Sequence, residues 1–493
     1  MVLVRSLRAV WVAAALLIGL CGSAEVVIAR VESRAHTHKG PRGKEGEIED
    51  RASGIRVELM HRDHVESPLR SASDLVGVER IRHDVLQTAA REEVLHRRLR
   101  KTAVQPAEAR PSRKALQVQV SVTESIALPV GERWRLHIQG EETAGEVGYE
   151  STVSMTGAGY SMKISIGTPP QTFHAFADTG SDLPWVQCIP CKRCFVQADQ
   201  FFDPKQSATY FYGDQTHTNG DMALESLTIL TTDGGSLTVP RFAFGCGHDN
   251  VGSLNQTGAS GIIGLGRGRF SFPSQLRPYI GSKFSTCFVN RELASQKTSP
   301  LLFGDSAAVS VPGMQYTPMV SGNYSAATFY YVNVEGISVG DKRIDIAQSK
   351  AAFSIDPGTG EGGTILDSGS TLTSLVKHVY YRVMHEFLVQ APMYPQVNFN
   401  KYGLDLCFEV SKIADPKLPT LTFHLTNATW TMPQENIALV MRDGNDGVYM
   451  CVALTQSKFG VNIIGNIQQQ DFQIVYDLAN SQIGFAKVKC DTL

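Results

Sequence analysis

Ala177-Asp178-Thr179-Gly180-Ser181 and Leu366-Asp367-Ser368-Gly369-Ser370 are two copies of one short motif in a chain of 493 residues. Each copy closes an apolar run, Phe173 to Ala177 in the first case and Thr364 to Leu366 in the second. A single Asp-Thr/Ser-Gly triplet is expected by chance about 0.2 times in a chain of this length. Two copies with matching apolar flanks therefore carry the main information about fold and function.

The chemistry of paired carboxylates gives a reason for the repeat. Two carboxylates that share a site cannot both ionise cheaply, so the pair holds a single proton. The ionised member can take a proton from water while the protonated member donates a hydrogen bond to the carbonyl under attack. Gly180 and Gly369 allow tight turns at which two such loops can meet, and the hydroxyls of Thr179 and Ser368 can brace that contact.

The residues around both motifs resemble the pepsin-like aspartic proteases, the reference case for a shared-proton dyad, and more closely the nepenthesin-type, or atypical, plant branch. The resemblance extends from about Tyr160 to Cys490. It implies catalytic roles for Asp178 and Asp367 and an all-β, bilobal fold with two pseudo-symmetric β lobes around a central cleft. The matching segments are Ile164 to Pro170, Asp178 to Val186, Phe244 to Asn250, Ser260 to Gly266, Phe329 to Val332 and Ile463 to Gln470.

The same resemblance assigns supporting roles to residues outside the two triplets. Ser181 and Ser370 would hydrogen-bond the catalytic carboxylates from outside and tune their acidity. Cys407 and Cys451 would form a disulfide in the C-terminal lobe. The alternative for each serine is an ordinary turn residue.

The resemblance is weakest at the flap, the hairpin that covers the substrate in this family. Trp185 matches the tryptophan whose indole can bond the flap tyrosine, and Tyr212, Gly213 and Asp214 match the flap tip, which closes over substrate. Most of the first flap strand, however, is missing before Tyr212. A hairpin rebuilt from residues 198–210, a loose flap with weak catalysis and an incorrectly spliced sequence remain alternatives.

The N-terminal segment Met1 to Ala24 has the form of a signal peptide. Arg5 and Arg8 precede an apolar stretch of about a dozen residues, and small residues follow. A membrane anchor is the alternative, but a spanning helix needs roughly 20 apolar residues. We expect a secreted or vacuolar protein with no membrane span after signal removal. Three sequons mark possible glycan acceptors at Asn255, Asn323 and Asn427.

The net charge of −2 hides an uneven distribution. Residues 25–114 carry 19 Lys and Arg against 15 Asp and Glu, whereas residues 115–493 carry 25 against 33. A basic leader on an acidic body predicts a prosegment held partly by charge, which protonation of carboxylates at low pH would loosen. The basic run Arg97 to Lys101 could instead bind nucleic acid, but it ends a predicted amphipathic helix, Val78 to Arg100. No nucleic-acid partner is expected.

Nine cysteines are present, and loss of Cys21 with the signal peptide leaves eight, compatible with up to four disulfides in a secreted protein. Cys188, Cys191 and Cys194 cluster behind the first aspartate loop. An iron–sulfur ligand run is the alternative, but its fourth Cys and its Pro are missing. Disulfides are favoured, and neither a metal site nor a cofactor is expected.

The pattern after residue 152 is one of short β-branched and aromatic runs broken by Gly, Pro, Asn and Asp. Only Ser271 to Tyr279 and Lys377 to Gln390 are predicted as helices. Ile262-Ile263-Gly264 and Ile463-Ile464-Gly465 follow the two aspartates as matching elements, which indicates a diverged internal duplication. The predicted strands are Ser161 to Ile166, Thr172 to Ala177, Ser226 to Thr231, Tyr330 to Val334 and Gln473 to Tyr476.

These features predict four parts of the chain: a signal peptide (1–24), a prosegment (25–150, ending between Lys114 and Met155), and two catalytic lobes (151–322 and 323–493). The predicted function is that of a monomeric acid endopeptidase, made as a zymogen, that acts on proteins or peptides. A catalytically weak, inhibitor-like binding protein on the same scaffold is the alternative, favoured by the shortened flap. A metal-dependent hydrolase lacks a His-x-x-x-His or equivalent ligand set.

Overall fold

The computed structural model describes most of the body of the protein and part of the leader. In the leader, the described residues are 54–61, 64, 66, 67, 84, 85, 88, 89, 91, 92 and 95. From 159 to 493 the gaps are 208–209, 214–218, 231–234, 251–257, 295, 309–310, 321–327, 345–352, 357–361, 400–402, 443–445 and 459. Strands dominate the described residues, which confirms the all-β prediction.

The largest sheet has 13 strands and follows the order β11-β26-β25-β9-β10-β1-β2-β3-β8-β4-β7-β6-β5. An additional pairing of β2 with β6 closes the strands between them into a ring. The strands are β1 (Gly54–His61), β2 (Tyr160–Ile166), β3 (Gln171–Asp178), β4 (Trp185–Gln187), β5 (Tyr210–Gly213), β6 (Asn219–Leu230), β7 (Ser236–Asp249), β8 (Gly261–Gly264), β9 (Lys283–Cys287), β10 (Ser299–Gly304), β11 (Gln315–Pro318), β25 (Phe472–Asp477) and β26 (Gln482–Lys487).

Three smaller sheets lie in the C-terminal part, with orders β12-β15-β24-β16-β23, β14-β13-β19-β20 and β17-β18-β22-β21. Their strands are β12 (Tyr330–Val332), β13 (Val334–Val339), β14 (Lys342–Arg343), β15 (Thr364–Leu366), β16 (Thr373–Val376), β17 (Gln396–Phe399), β18 (Leu404–Glu409), β19 (Leu421–Leu425), β20 (Ala428–Met432), β21 (Ala438–Arg442), β22 (Val448–Val452), β23 (Leu454–Ser457) and β24 (Asn462–Ile464).

The labelled α-helices are α1 (Phe272–Ile280), α2 (Lys377–Gln390), α3 (Gln434–Ile437) and α4 (Asn466–Gln469). The first two lie where they were predicted, α1 shifted by one residue. Ser271 begins α1 as its N-cap, because its side chain accepts a hydrogen bond from the backbone N–H of Ser274. Short 3₁₀ turns lie at Pro204–Gln206, Asp305–Ala308 and Cys490–Thr492. Among the described residues, no helix combines the length and apolar character needed to cross a membrane.

The leader contributes a strand to the centre of the large sheet. β1 pairs antiparallel with β10 on one side and β2 on the other, with Leu59 opposite Met162. Leu59 and Val57 are buried in the main core. The burial of these apolar side chains in the core stabilises the sheet. Residues 54–61 are therefore part of the folded body in this form of the chain.

Alternating burial explains why the predicted strands form. Along β2, Met162, Ile164 and Ile166 are at most 1% exposed and face the core, the period-2 pattern of a strand. Three of the five predicted strands match to within one residue at each end. The other two differ more, because β6 begins at Asn219 rather than Ser226 and the run from Tyr330 divides at Asn333 into β12 and β13.

The predicted duplication is visible in the strand pairing. β3 runs parallel to β8, with Asp178 opposite Gly264, and β15 runs parallel to β24, with Leu366 opposite Ile464. Each aspartate loop therefore begins beside an Ile-Ile strand. Because β25 and β26 return to the large sheet beside β9, the predicted boundary at 322 does not separate the sheets, and the linear lobe boundaries stay predictions.

Four disulfides pair all eight cysteines that follow Cys21. Cys407 bonds Cys451, as predicted. The cluster behind the first aspartate loop divides between two bonds, Cys188–Cys246 and Cys191–Cys194. The fourth bond, Cys287–Cys490, connects β9 to the C-terminal end of the chain.

Candidate active site

Asp178 and Asp367 lie in equivalent loops, each at the end of a buried strand. Each carboxylate accepts a hydrogen bond from the second amide after it: Gly180 N to Asp178 Oδ1 at 2.9 Å, and Gly369 N to Asp367 Oδ1 at 3.1 Å. Both aspartates are at most 1% exposed. Amide donors directed at a carboxylate stabilise its ionised form, and they fix its orientation.

Ser181 and Ser370 bond the outer oxygens of the two carboxylates. Ser181 Oγ donates to Asp178 Oδ2 at 2.5 Å, and Ser370 Oγ donates to Asp367 Oδ2 at 2.6 Å. Each aspartate thus has one oxygen bound to its serine and the other bound to a glycine amide. Both serines make the hydrogen bonds that the resemblance implied, and the two loops repeat each other bond for bond. Their effect on the acidity of the carboxylates stays a prediction.

Thr179 and Ser368 join the two loops through reciprocal hydrogen bonds. Thr179 N donates to Ser368 Oγ at 3.0 Å, and Ser368 N donates to Thr179 Oγ1 at 2.9 Å. The hydroxyls in turn donate across the pair, Thr179 Oγ1 to the carbonyl of Leu366 and Ser368 Oγ to the carbonyl of Ala177. Both side chains are buried. This exchange holds the two halves of the chain together at the aspartates.

Arg91 of the leader lies between the two carboxylates. Its Nη2 donates to Asp178 Oδ1 and, at 3.1 Å, to Asp367 Oδ1, while Nε donates to Asp367 Oδ2 at 3.0 Å. Because one nitrogen bonds an oxygen of each aspartate, those two oxygens lie within about 6 Å of each other. The two aspartates lie close together, as predicted. The guanidinium of Arg91 between them was not predicted.

The two carboxylates stabilise the charged form of Arg91. Burial alone would lower the pKa of Arg91, but the neighbouring carboxylates of Asp178 and Asp367 and their hydrogen bonds raise it above the usual value. Arg91 therefore stays positively charged over the whole working pH range. A buried guanidinium needs such partners, since an uncompensated buried charge is strongly unfavourable.

The rest of the described leader helix fixes Arg91 in place. Residues 84, 85, 88, 89, 91, 92 and 95 are helical, and the buried members form one face. Leu372 N donates to Thr88 Oγ1 at 3.0 Å, and Arg291 Nη2 pairs with Asp84 Oδ2 at 2.8 Å. Leu95 packs in a buried cluster with Ile365, two residues before Asp367. The predicted amphipathic helix thus docks on the second aspartate loop.

Glu92 follows Arg91 in the sequence and is also buried. Its side chain makes a hydrogen bond to a different part of the body. Its Oε2 accepts a hydrogen bond from Lys458 N at 3.1 Å. Burial raises the pKa of Glu92 to about 7, although the hydrogen bond from Lys458 N and the positive charge of Lys458 both lower that pKa. Glu92 is therefore a leader group whose charge changes near neutral pH.

The segment predicted as the flap lies in a hairpin whose connecting residues, 214–218, are outside the described residues. β5 pairs with β6, placing Tyr212 opposite Met222 and Gly213 opposite Asp221. Asp214 is outside the described residues, and so is the side chain of Tyr212. Trp185 is half-buried and contacts Phe195 edge to face, with ring centroids 6.3 Å apart. Its bond to the flap tyrosine stays a prediction.

Of the predicted glycan acceptors, only Asn427 is described. It is exposed in the turn between β19 and β20, with a positive φ of 62°. Asn255 and Asn323 lie outside the described residues. The glycosylation of all three stays a prediction.

Comparison with known proteins shows which families this chain is similar to. The chain matches a family model described as Xylanase inhibitor N-terminal over residues 160–211 and 208–305, and one described as Xylanase inhibitor C-terminal over 329–487. The N-terminal match divides at residues 208–211, beside the start of β5.

Similar proteins include plant aspartic proteases and a solved globulin structure. Aspartic proteinase nepenthesin-1 of Nepenthes gracilis is 37% identical over 374 residues, 70% of this chain and 81% of that protein. Aspartyl protease family protein 2 of Arabidopsis thaliana is 36% identical over 370 residues, 69% of this chain and 73% of that protein. The structure titled Basic 7S globulin from soybean, 20% identical, matches with a TM-score of 0.52 over 68% of this chain and 95% of its own. That last likeness concerns the fold alone.

Proposed function

The chain belongs to the plant aspartic proteases of the nepenthesin type, and on that basis we propose that it is a secreted acid endopeptidase made as a zymogen. Its substrates are proteins or peptides. The observation that carries the proposal is the double aspartate loop, in which each carboxylate has the same serine and glycine donors.

The chemistry requires water between the two aspartates. With one proton shared by the pair, the ionised carboxylate takes a proton from the water while the other donates a hydrogen bond to the scissile carbonyl. The attacking oxygen adds to the carbonyl carbon, and the proton returns to the leaving nitrogen as the bond breaks. The symmetric donors do not distinguish base from acid, and no covalent intermediate is needed.

The docked leader supports the zymogen part of the proposal. In this form of the chain Arg91 occupies the space between the carboxylates, so a water and a peptide cannot bind there. At low pH, protonation of the carboxylates would remove the charges that attract Arg91, and the leader helix would dissociate. Removal of the leader by proteolysis would then make the change permanent.

The compartment is inferred from separate features. The segment Met1 to Ala24 resembles a signal peptide, and four disulfides suit an oxidising compartment. Both favour the secretory pathway, with an extracellular or vacuolar destination. A monomer is the simplest state, since the active site is completed within one chain.

The proposal is tested by acidifying the purified full chain. Between about pH 3 and 5 we expect loss of the leader, cleavage of a denatured protein substrate and inhibition by pepstatin. Mass spectrometry of the products reports the leader, and gel analysis reports the substrate. A folded chain that cleaves nothing across this window would contradict the proposal.

A non-catalytic binding protein remains the second candidate because one observation favours it. In the described part of the hairpin, β5 has four residues whereas its partner β6 has 12, which leaves a short described segment to cover a substrate. The intact donor set around both aspartates favours the protease. Binding of pepstatin by the acid-treated chain without substrate cleavage would favour the binding protein.

A further inference from the structure

One of the four disulfides differs from the others in its place in the chain. Cys191 and Cys194 are three positions apart, whereas the other bonds span 58, 203 and 44 positions. A bond that closes so short a loop restricts the unfolded chain least. The structure therefore depends less on this bond than on the other three.

The Cys191–Cys194 disulfide is also more exposed to solvent than the other three. All six other bonded cysteines are buried, at 0 to 1% exposed. Cys191 and Cys194 are both half-buried. Cys194 also lines an open surface groove of about 570 Å³ with Ile189 and Val196. A reductant can therefore approach this disulfide without unfolding the protein.

The two intervening residues, Lys192 and Arg193, supply positive charge. Their side chains are 80% and 61% exposed, and both face Asp249, Arg193 Nε at 2.5 Å and Lys192 Nζ at 3.8 Å. Two cations against one carboxylate leave the segment net positive. Cations beside a Cys-x-x-Cys pair stabilise the thiolate, which is the leaving group in thiol–disulfide exchange.

Backbone hydrogen bonds hold the segment in place independently of the sulfur bond. Lys192 N donates to the carbonyl of His248 at 2.7 Å, and Asn250 N donates to the carbonyl of Arg193 at 2.6 Å. Asn250 Nδ2 also donates to Cys194 Sγ at 3.5 Å. After reduction these bonds would keep the two thiols close, so that the disulfide can form again.

We propose that Cys191–Cys194 is a redox-exchangeable disulfide, reduced by a dithiol protein of the thioredoxin class while the other three disulfides persist. A thiolate of the reductant attacks one sulfur and forms a mixed disulfide, and the other sulfur leaves as a thiolate and takes a proton. The second thiol of the reductant then resolves the mixed disulfide. Two electrons and two protons pass to the cysteine pair, and the reductant becomes a disulfide.

The test is differential alkylation of the folded full chain. The protein is incubated at neutral pH with thioredoxin and its reductase, thiols are blocked at intervals, and peptides are quantified by mass spectrometry, leaving out the peptide with Cys21. We expect labelling of Cys191 and Cys194 at least about 10-fold faster than of the other six cysteines. Equal labelling of all eight, or no labelling of this pair, would overturn the proposal.

The charge contribution is tested with a matched pair of variants. Lys192→Gln/Arg193→Gln should slow reduction of the pair several-fold, because the leaving thiolate loses its cations. Lys342→Gln/Arg343→Gln changes another adjacent, exposed Lys-Arg pair, on β14, and should leave the rate unchanged. Equal rates in the two variants would contradict the role assigned to Lys192 and Arg193.

Discussion

Arg91 and Asp367 are joined by two hydrogen bonds, Nε to Oδ2 at 3.0 Å and Nη2 to Oδ1 at 3.1 Å. The parallel arrangement matches the planar guanidinium to the planar carboxylate, a strong and specific geometry. The same Nη2 also bonds Asp178. One leader residue thus places its positive charge between the carboxylates of two residues from opposite halves of the body.

Replacing Arg91 should release the leader from the aspartates. Arg91→Gln removes one partner of a buried ion pair, a change that costs about 3 to 5 kcal/mol. We expect the variant to cleave peptide at pH 6 without prior acid treatment, and we expect no cleavage by the unmodified chain under the same conditions. A fluorogenic peptide assay measures this directly.

Arg56→Gln is the matched control for that experiment. Arg56 is also a leader arginine, but it lies in β1 and donates hydrogen bonds to Glu58 and to a backbone oxygen of Leu493. The change in charge is the same, and the aspartates are not contacted. If Arg56→Gln activated the chain as much as Arg91→Gln, general charge rather than the contact with the aspartates would explain the inhibition.

Glu92 should make leader docking depend on pH in the direction opposite to acid release. Its pKa is raised to about 7 in the docked state by burial, against about 4.3 in an exposed glutamate. The docked state therefore favours the protonated form, and docking strengthens as pH falls through 7 and levels off near the exposed pKa. A shift of this size corresponds to about 4 kcal/mol.

Glu92→Gln tests this dependence. At pH 8 the leader should dock more tightly in the variant than in the unmodified chain. The ratio of the two docking constants should fall roughly 100-fold between pH 8 and pH 5. Hydrogen exchange of the leader peptide measures docking, and Glu58→Gln, a partly exposed leader glutamate, should keep the unmodified slope. A constant difference between Glu92→Gln and the unmodified chain from pH 8 to 5 would refute the prediction.

The reciprocal bonds of Thr179 and Ser368 should be strongly coupled. Thr179→Val and Ser368→Ala each leave buried groups without a partner, at a cost of about 1 to 3 kcal/mol in the free energy of unfolding. Because both variants break the same exchange, the double variant should cost less than the sum of the two. Urea unfolding of the three variants measures the coupling.

Thr364→Val is the control for that cycle. Thr364 is buried in β15, three residues before Asp367, and its hydroxyl has no hydrogen-bond partner among the described residues. Loss of that hydroxyl should leave stability unchanged or raise it slightly. Additive effects in the double variant, or an equal loss in Thr364→Val, would show that the two loops do not depend on the exchange.

The sequence predicted the elements that local pattern determines. The helix Lys377–Gln390 and the Ile-Ile strands beside both aspartates follow from periodicity and from the repeat itself. Asp178 and Asp367 were predicted to meet because their chemistry requires a pair. These features depend on residues near one another in the chain or on a motif present twice.

Contacts between distant segments could not be predicted in the same way. Arg91 lies on a predicted amphipathic helix, but nothing local distinguishes it from Arg97 or Arg98 as the residue that reaches the aspartates. The strand β1 has an alternating pattern, yet its place between β10 and β2 depends on tertiary pairing. The pairing of Cys188 with Cys246 rather than with a neighbouring cysteine likewise follows from the parallel register of β4 and β7.

The central claim is that Asp178 and Asp367 act together on one water molecule. The most direct measurement is kcat/KM at pH 4 for Arg91→Gln chains that also carry Asp178→Asn or Asp367→Asn, so that self-processing is not required. Each added substitution should lower kcat/KM by about 100-fold to 10⁴-fold, since each removes one member of the acid–base pair. Activity that survives either substitution would contradict the claim.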